Sequence, residues 1–332
     1  MASPLKTCSP VRSTATTAAA DTSGGRAPSD ARLCLKTTES QGSSRIDAGC
    51  LDIRRSRKCK AADPTSTKDA SFQYTKTPLV NWQPGQGLND LPGASDFAAS
   101  SPFREIDVDS LEDKSPLYKL MTWAITPRPV ALVSTINEAG VANLAPISYF
   151  NEVNHDPPTI MISVVAGNTS NGLKDTANNI HKMKDFCVSM ISEPLVEAAN
   201  YSSINTPDDV DEYNLCGLTK RESRSVRTPH VGESAFSMEC ELAHSYPMYN
   251  DSGKHTATAI FGRIKRFHVK ESVLDPADPN KILPEKYRVI SRLGGLTYAR
   301  STVGYELQRP VWDQVKETDA VNAALAKPES KM

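Results

Sequence analysis

The stretch PVALVSTINEAGVANLAPISYF, residues 129–150, decides the fold. PVALVST (129–135) is apolar and β-branched enough for a buried strand, INEAG supplies a turn ending at Gly140, and VANLAPISYF runs back. The pattern predicts an antiparallel β-hairpin. Its returning strand carries an interruption. Pro146 has no N–H to give to a ladder, so this strand is expected at a sheet edge or a bulge, leaving neighbouring backbone groups, Asn143 and Ser148 free to face a ligand.

Outward from the hairpin the pattern remains mainly β. PPTIMISVV (157–165) reads as a third strand and CVSMIS (187–192) as a buried one. Between them, Asp175 or Thr176 can cap a short helix in which Ala177, Ile180 and Met183 share a face. Pro194 opens a second short helix. SAFSMECELAHSYPMYN (234–250) and KHTATAIFGRIKRFHVKES (254–272) alternate as two long strands around the turn signal NDSG. Residues 205–232 are polar and long for a connection, which predicts a functional or subunit-contacting excursion. Short strands, hairpin connections and a few short helices predict a closed or partly closed antiparallel barrel, a form that leaves little unpaired edge.

The folded body is expected over residues 115–312. Residues 1–70 are rich in Ser, Thr, Gly and Ala and poor in aromatics, a composition that cannot bury enough apolar surface to offset ordering entropy. Disorder is expected there. Residues 71–114 gain Trp82 and several Pro and Gly, as in an extended arm lying on a folded body. Residues 313–332 read as a charged, frayed tail.

Composition excludes several classes. The 332 residues carry a net charge of −1, with +5 in the first 70 and −6 in the rest, and show no basic face interleaved with aromatics, so a nucleic-acid binder is not indicated. The seven cysteines form no C-x-x-C pair and are odd in number, which suggests neither a zinc site nor a disulfide framework. A reducing, cytoplasmic setting is the simple expectation. The basic, acid-free opening MASPLKTCSPVRSTATTAAA leaves a mitochondrial leader as the alternative. No stretch approaches a membrane span.

No G-x-G-x-x-G, G-x-x-x-x-G-K-[ST] or G-x-S-x-G occurs, so a Rossmann site, a P-loop and a hydrolase elbow are unsupported. No histidine lies in a metal-binding spacing. Three stretches combine groups suited to an anionic, planar ligand. KDTANNI places Lys174 and the Thr176 hydroxyl at a helix start, where free N–H groups and the dipole favour phosphate; on this stretch alone, ordinary capping with a solvated Lys174 is the plainer reading. TPRPVALVST sets Arg128 between two prolines and ends in Ser134 and Thr135, all of which suit a surface arginine and turn hydroxyls too. NLAPISYF supplies Tyr149 and Phe150, which either flank a ring or belong to the core.

Taken in order, TPRPVALVST, GVANLAPISYFNEVNHDPPTIMIS, KDTANNI, DFCVSMI, DEYNLCGL, MECEL and RLGGLTYA resemble the flavin reductase-like proteins that bind FMN on a split β-barrel. The resemblance runs over roughly residues 115–310. It implies a six-stranded antiparallel Greek-key barrel, with FMN (or FAD) in a cleft at a homodimer interface. By the same resemblance the phosphate is held by groups matching Arg128, Ser134, Thr135, Lys174, Asp175 and Thr176. The isoalloxazine lies against Asn143, Ala145, Pro146, Ser148, Tyr149 and Phe150. Arg292 and Gly294 to Tyr298 match a C-terminal element that either supports the barrel or covers the flavin.

The implied activity is transfer of hydride from NAD(P)H through flavin to free flavin, a partner monooxygenase or another acceptor. No acid–base triad is needed, because the cofactor carries the chemistry. A non-enzymatic FMN-binding electron carrier or flavin-storage protein is the alternative.

Overall fold

The structure is a computed structural model that describes residues 71–167, 169 and 171–326. The expectations for residues 1–70, disorder or a leader, lie outside the described residues. Seven strands form one antiparallel sheet: β1 (Ala131–Ile136), β2 (Ala142–Ile147), β3 (Phe150–His155), β4 (Pro158–Val165), β5 (Asp185–Met190), β6 (Phe236–Tyr249) and β7 (His255–Val269). Their spatial order is β2-β1-β5-β6-β7-β4-β3. The principal helices are α1 (Ser115–Ala124), α2 (Asp175–Met183), α3 (Val196–Tyr201) and α4 (Glu212–Cys216).

The hairpin expected at 129–150 is β1 and β2, turned where Gly140 donates its N–H to the Asn137 carbonyl at 3.0 Å. The expected six strands are corrected to seven. The extra one, β3, is exposed along nearly its whole length, so its sequence FNEVNH has no buried face to impose an alternation.

Strands β2 and β3 lie at opposite ends of the strand order, yet only Ser148 and Tyr149 separate them. A flat sheet of this width would hold its edges about 29 Å apart. Three Cα steps from Ile147 to Phe150 span at most about 11 Å. The sheet must therefore curl until its edges meet at this corner. No hydrogen-bonded ladder joins β2 to β3 or β4 among the described residues, so the curled sheet stays split along that seam.

Strand β1 is buried on both faces and separates two cores. Val133 faces a cluster with Ile162, Ile180, Phe186, Val188 and Ile260, whereas Leu132 faces one with Leu144, Ile191, Tyr213 and Val231. Each such side chain contributes about 1.5–3 kcal/mol on burial. Gly262 is required for this packing, since a Cβ there would lie 2.4 Å from the Phe186 ring.

The arm is tied down at its two ends, at its close by an ion pair between Lys114 and Asp251. Gln73 and Tyr74 pair in parallel with Val303 and Gly304, and the Phe72 ring fills the place of a Gly304 side chain. Farther on, Trp82 donates its Nε1–H to the Gly87 carbonyl at 2.8 Å, a local turn. Phe97 and Phe103 stand 78% and 84% exposed, so the expected docking of the arm's aromatics does not extend to them. The tail expected to fray is helical instead over Trp312–Val315 and Asp319–Leu325, where Thr318 caps the second helix and Val321 is buried. Among the described residues no helix is long and apolar enough to cross a membrane.

Candidate functional site

A cavity of about 700 Å³ opens along the seam. This lies within the roughly 300–1,000 Å³ of small-molecule sites. One wall is the outer edge of β2. The other is the far half of β4, because β3 pairs with Pro158–Ile162 and, among the described residues, no strand pairs with that edge from Val164 onward. The walls converge where Ser163 donates its N–H to the Tyr149 carbonyl at 2.8 Å.

The edge of β2 explains Pro146. Leu144 donates its N–H outward, to Oε2 of the buried Glu212 at 3.0 Å, rather than into the sheet. Residues two apart on an antiparallel strand share a side, so the N–H that Pro146 lacks also belongs to the outer edge. Pairing with Leu132 continues unbroken through Pro146. The expected edge position is found and the alternative bulge is not. Thr206 bonds the other oxygen of Glu212.

At one end of the seam stands the start of α2. Lys174 precedes it in extended conformation and no side chain caps its first turn. A Cβ at Gly167 would lie 2.6 Å from the Leu173 carbonyl oxygen and 2.9 Å from the Lys174 nitrogen, so only glycine lets β4's continuation pass there. Asn143 Nδ2 donates to Thr176 Oγ1 at 3.1 Å and Thr135 Oγ1 at 3.3 Å, and Asn179 donates to the same Thr135 oxygen at 3.1 Å. These bonds fasten the helix start to the hairpin. Free N–H groups, the dipole and Lys174 make this end attractive to an anion.

Arg128 stands at the opposite end. Its Nη1 donates to the carbonyls of Thr122 and Ile125, both at 2.7 Å, and Nη2 to that of Leu293 at 3.0 Å. Its backbone pairs with Arg292, whose guanidinium lies 4.4 Å from the Tyr298 ring centroid and donates to the Gly295 carbonyl. Gly294 sits under Trp123, with no room for a Cβ. Arg128 lies three residues before Ala131, the partner of Ile147. From Ile147 back to Asn143, beside α2, is about 13 Å of strand.

Of the expected site residues, Arg128, Asn143, Ala145, Pro146, Ser148, Tyr149, Lys174, Asp175 and Thr176 line the cavity. Arg128 is not part of the α2 group. Ser134 and Thr135 are fully buried behind the wall, and Phe150 packs against the core. None of these three lines the cavity, because β1 is covered on both faces and Phe150 turns inward. Tyr118, Glu212, Asn200 and Ser202 to Thr206 also line the cavity and were not expected to; the polar length from 205 onward signalled Asn205, Thr206 and Glu212, and nothing signalled the others. Burial raises the Tyr149 phenol's pKa, with Tyr118 adding to the effect and Arg128 opposing it.

The described residues contain no group of three His, Cys, Asp or Glu suited to a metal ion. The family model of the flavin reductase like domain matches residues 123–303. An uncharacterized protein of Aquifex aeolicus is 38% identical over 189 residues, 57% of this chain and 92% of its own. The structure of nitrilotriacetate monooxygenase component B from Bacillus cereus is similar at 35% identity and TM-score 0.59, covering 63% of this chain and all of that one. A Pseudomonas fluorescens 2-nitrobenzoate 2-nitroreductase is similar at 26% identity and TM-score 0.55, covering 63% and 98%. The family match takes in both walls of the seam and more than half of the sequence, and the chain belongs to the flavin reductase like domain family.

Proposed function

We propose that the seam holds FMN and that the protein passes electrons from NAD(P)H through it to a second acceptor. The observation that carries this reading is the uncapped start of α2, with Lys174 beside it and Gly167 clearing the approach, at one end of an elongated cleft. The residues fit the group. An anion at that end gains N–H donors and a cation, while the β2 edge from Asn143 to Ser148 offers a flat wall for a ring. Bound there, FMN would supply the hydride chemistry. The chain's residues orient the ring, keep the phosphate end fixed and hold the α2 start in place through Asn143 and Thr135.

The similarity to a monooxygenase component B supports a partner monooxygenase as acceptor, and the nitroreductase supports a small aromatic one. A second copy of the chain is proposed to cover the open side of the cleft. Anaerobic titration of the FMN-loaded protein with NADH and then NADPH tests the function. Bleaching of the flavin absorbance is expected; bound flavin that neither nucleotide reduces would leave an electron carrier instead.

A further inference from the structure

Two arginines end the cleft far from α2, and among the described residues neither meets a carboxylate. Arg128 is 9% exposed, and its hydrogen bonds go to three carbonyls while its Nε finds no partner. Arg292, partly buried, bonds only the Gly295 carbonyl and stacks on Tyr298. Neutral carbonyls satisfy donors but do not cancel charge. A buried, uncompensated cation such as Arg128 is costly, and Arg292 places a second, partly buried charge on the same wall. The cavity's acids are engaged elsewhere: Asp175 opens α2, and Glu212 holds Leu144 and Thr206. A phosphate seated at α2 is separated from this end by about 13 Å of strand or more.

We propose that Arg128 and Arg292 form a second anion subsite, which holds the negatively charged group of the reactant that exchanges electrons with the flavin. The surroundings narrow its class. Tyr118, Tyr149 and Tyr298 all line this part of the cavity, so the anion is carried by a planar ring or lies next to one. A nicotinamide dinucleotide, through its pyrophosphate, and an aromatic carboxylate acceptor share that chemistry. The proposal rests on the cleft being a flavin site, and Arg292 is the residue to vary, since Arg128 also braces three backbone segments.

The test is calorimetric binding of inorganic pyrophosphate and of benzoate to the FMN-loaded protein, with FMN affinity measured in parallel by fluorescence quenching. At least one probe is expected to bind, to weaken tenfold or more in Arg292→Gln, and to recover partly in Arg292→Lys, while FMN affinity stays within threefold. Preference for pyrophosphate assigns the subsite to the dinucleotide; preference for benzoate assigns it to the acceptor. Failure of both probes to bind, equal binding by Arg292→Gln, or a parallel tenfold loss of FMN would overturn it. A protein that takes up no FMN refutes the functional reading instead, and the same titrations on the flavin-free chain still decide the subsite.

Discussion

Gly167 and Asn143 show how differently single residues of one site can be read. Nothing in the sequence around Gly167 distinguishes it from a turn glycine, because its requirement comes from Leu173 and Lys174 passing within a Cβ's reach. Gly167→Ala must push the backbone at the helix start, at a cost of about 1–3 kcal/mol for such overpacking. FMN binding is expected to weaken tenfold or more, read by fluorescence quenching; unchanged affinity would remove the phosphate from this end. Asn143 was legible as a site residue because a polar side chain in an apolar strand is conspicuous. Its bonds to Thr135 and Thr176 make it a positioning residue as well. Asn143→Ala is expected to lower stability by about 1–2 kcal/mol in urea unfolding, two neutral hydrogen bonds being lost.

At the scale of elements, continuous apolar runs carried β1 and β5, which are buried almost throughout, and hydrophobic patterning carried β2, β4, β6, β7 and α2. Patterning failed for β3, which buries almost none, and for the excursion at 205–232, whose helix α4 and two-residue strand pair, Lys220–Arg221 with His230–Val231, are too short to show a period. The end of that excursion is clasped by buried carboxylates. Glu239 accepts from the Arg224 N–H at 2.8 Å, the Ser225 N–H and His268 Nε2 at 2.6 Å, and Asp185 accepts from Thr228 Oγ1 at 2.6 Å and Arg227 Nε at 3.1 Å. Burial alone would raise the Glu239 pKa, but these donors outweigh it and hold it below the ordinary value.

His230 stacks on His268 with centroids 4.0 Å apart. Burial, aided by the charges of His268 and Arg221 against the opposing Glu239, depresses the His230 pKa from 6.5 to about 4. As pH falls from 6.5 towards 4 the unfolded chain takes up this proton and the folded one does not, so stability is lost across that window. His230→Gln is expected to flatten the fall of Tm between those limits by roughly 5 °C. Scanning calorimetry at stepped pH checks it, and an equally steep fall in the variant would contradict the assignment. From about pH 4.5 downward Glu239 adds its own loss, since the unfolded chain's carboxyl takes up a proton before the folded one does.

For the molecule as a whole, β class and antiparallel pairing were legible, because hairpins announce themselves locally. The strand count and the open seam were not, since the curl depends on which edges meet, and that is set by two residues, Ser148 and Tyr149, with no signature of their own. The same curl leaves a surface unaccounted for within one chain. On α1, Tyr118 is 66% exposed, with Leu120, Met121 and Trp123, and Ile125 just past its end, also open to solvent, and Leu296 near the Arg292 element is 91% exposed. Tyr118 lines the cleft, so this apolar surface is continuous with the mouth of the site. Clustered exposed apolar side chains at a site's rim mark an interface. A second copy that covers them would also supply the missing wall of the cleft, which ties flavin affinity to association. Light scattering is expected to give the mass of a dimer. Met121→Asp, placing a charge in that surface, is expected to yield monomers whose FMN affinity is at least tenfold weaker. A monomeric wild-type protein with tightly bound flavin, or a monomeric variant with undiminished affinity, would separate the two properties and show that one chain completes its own site.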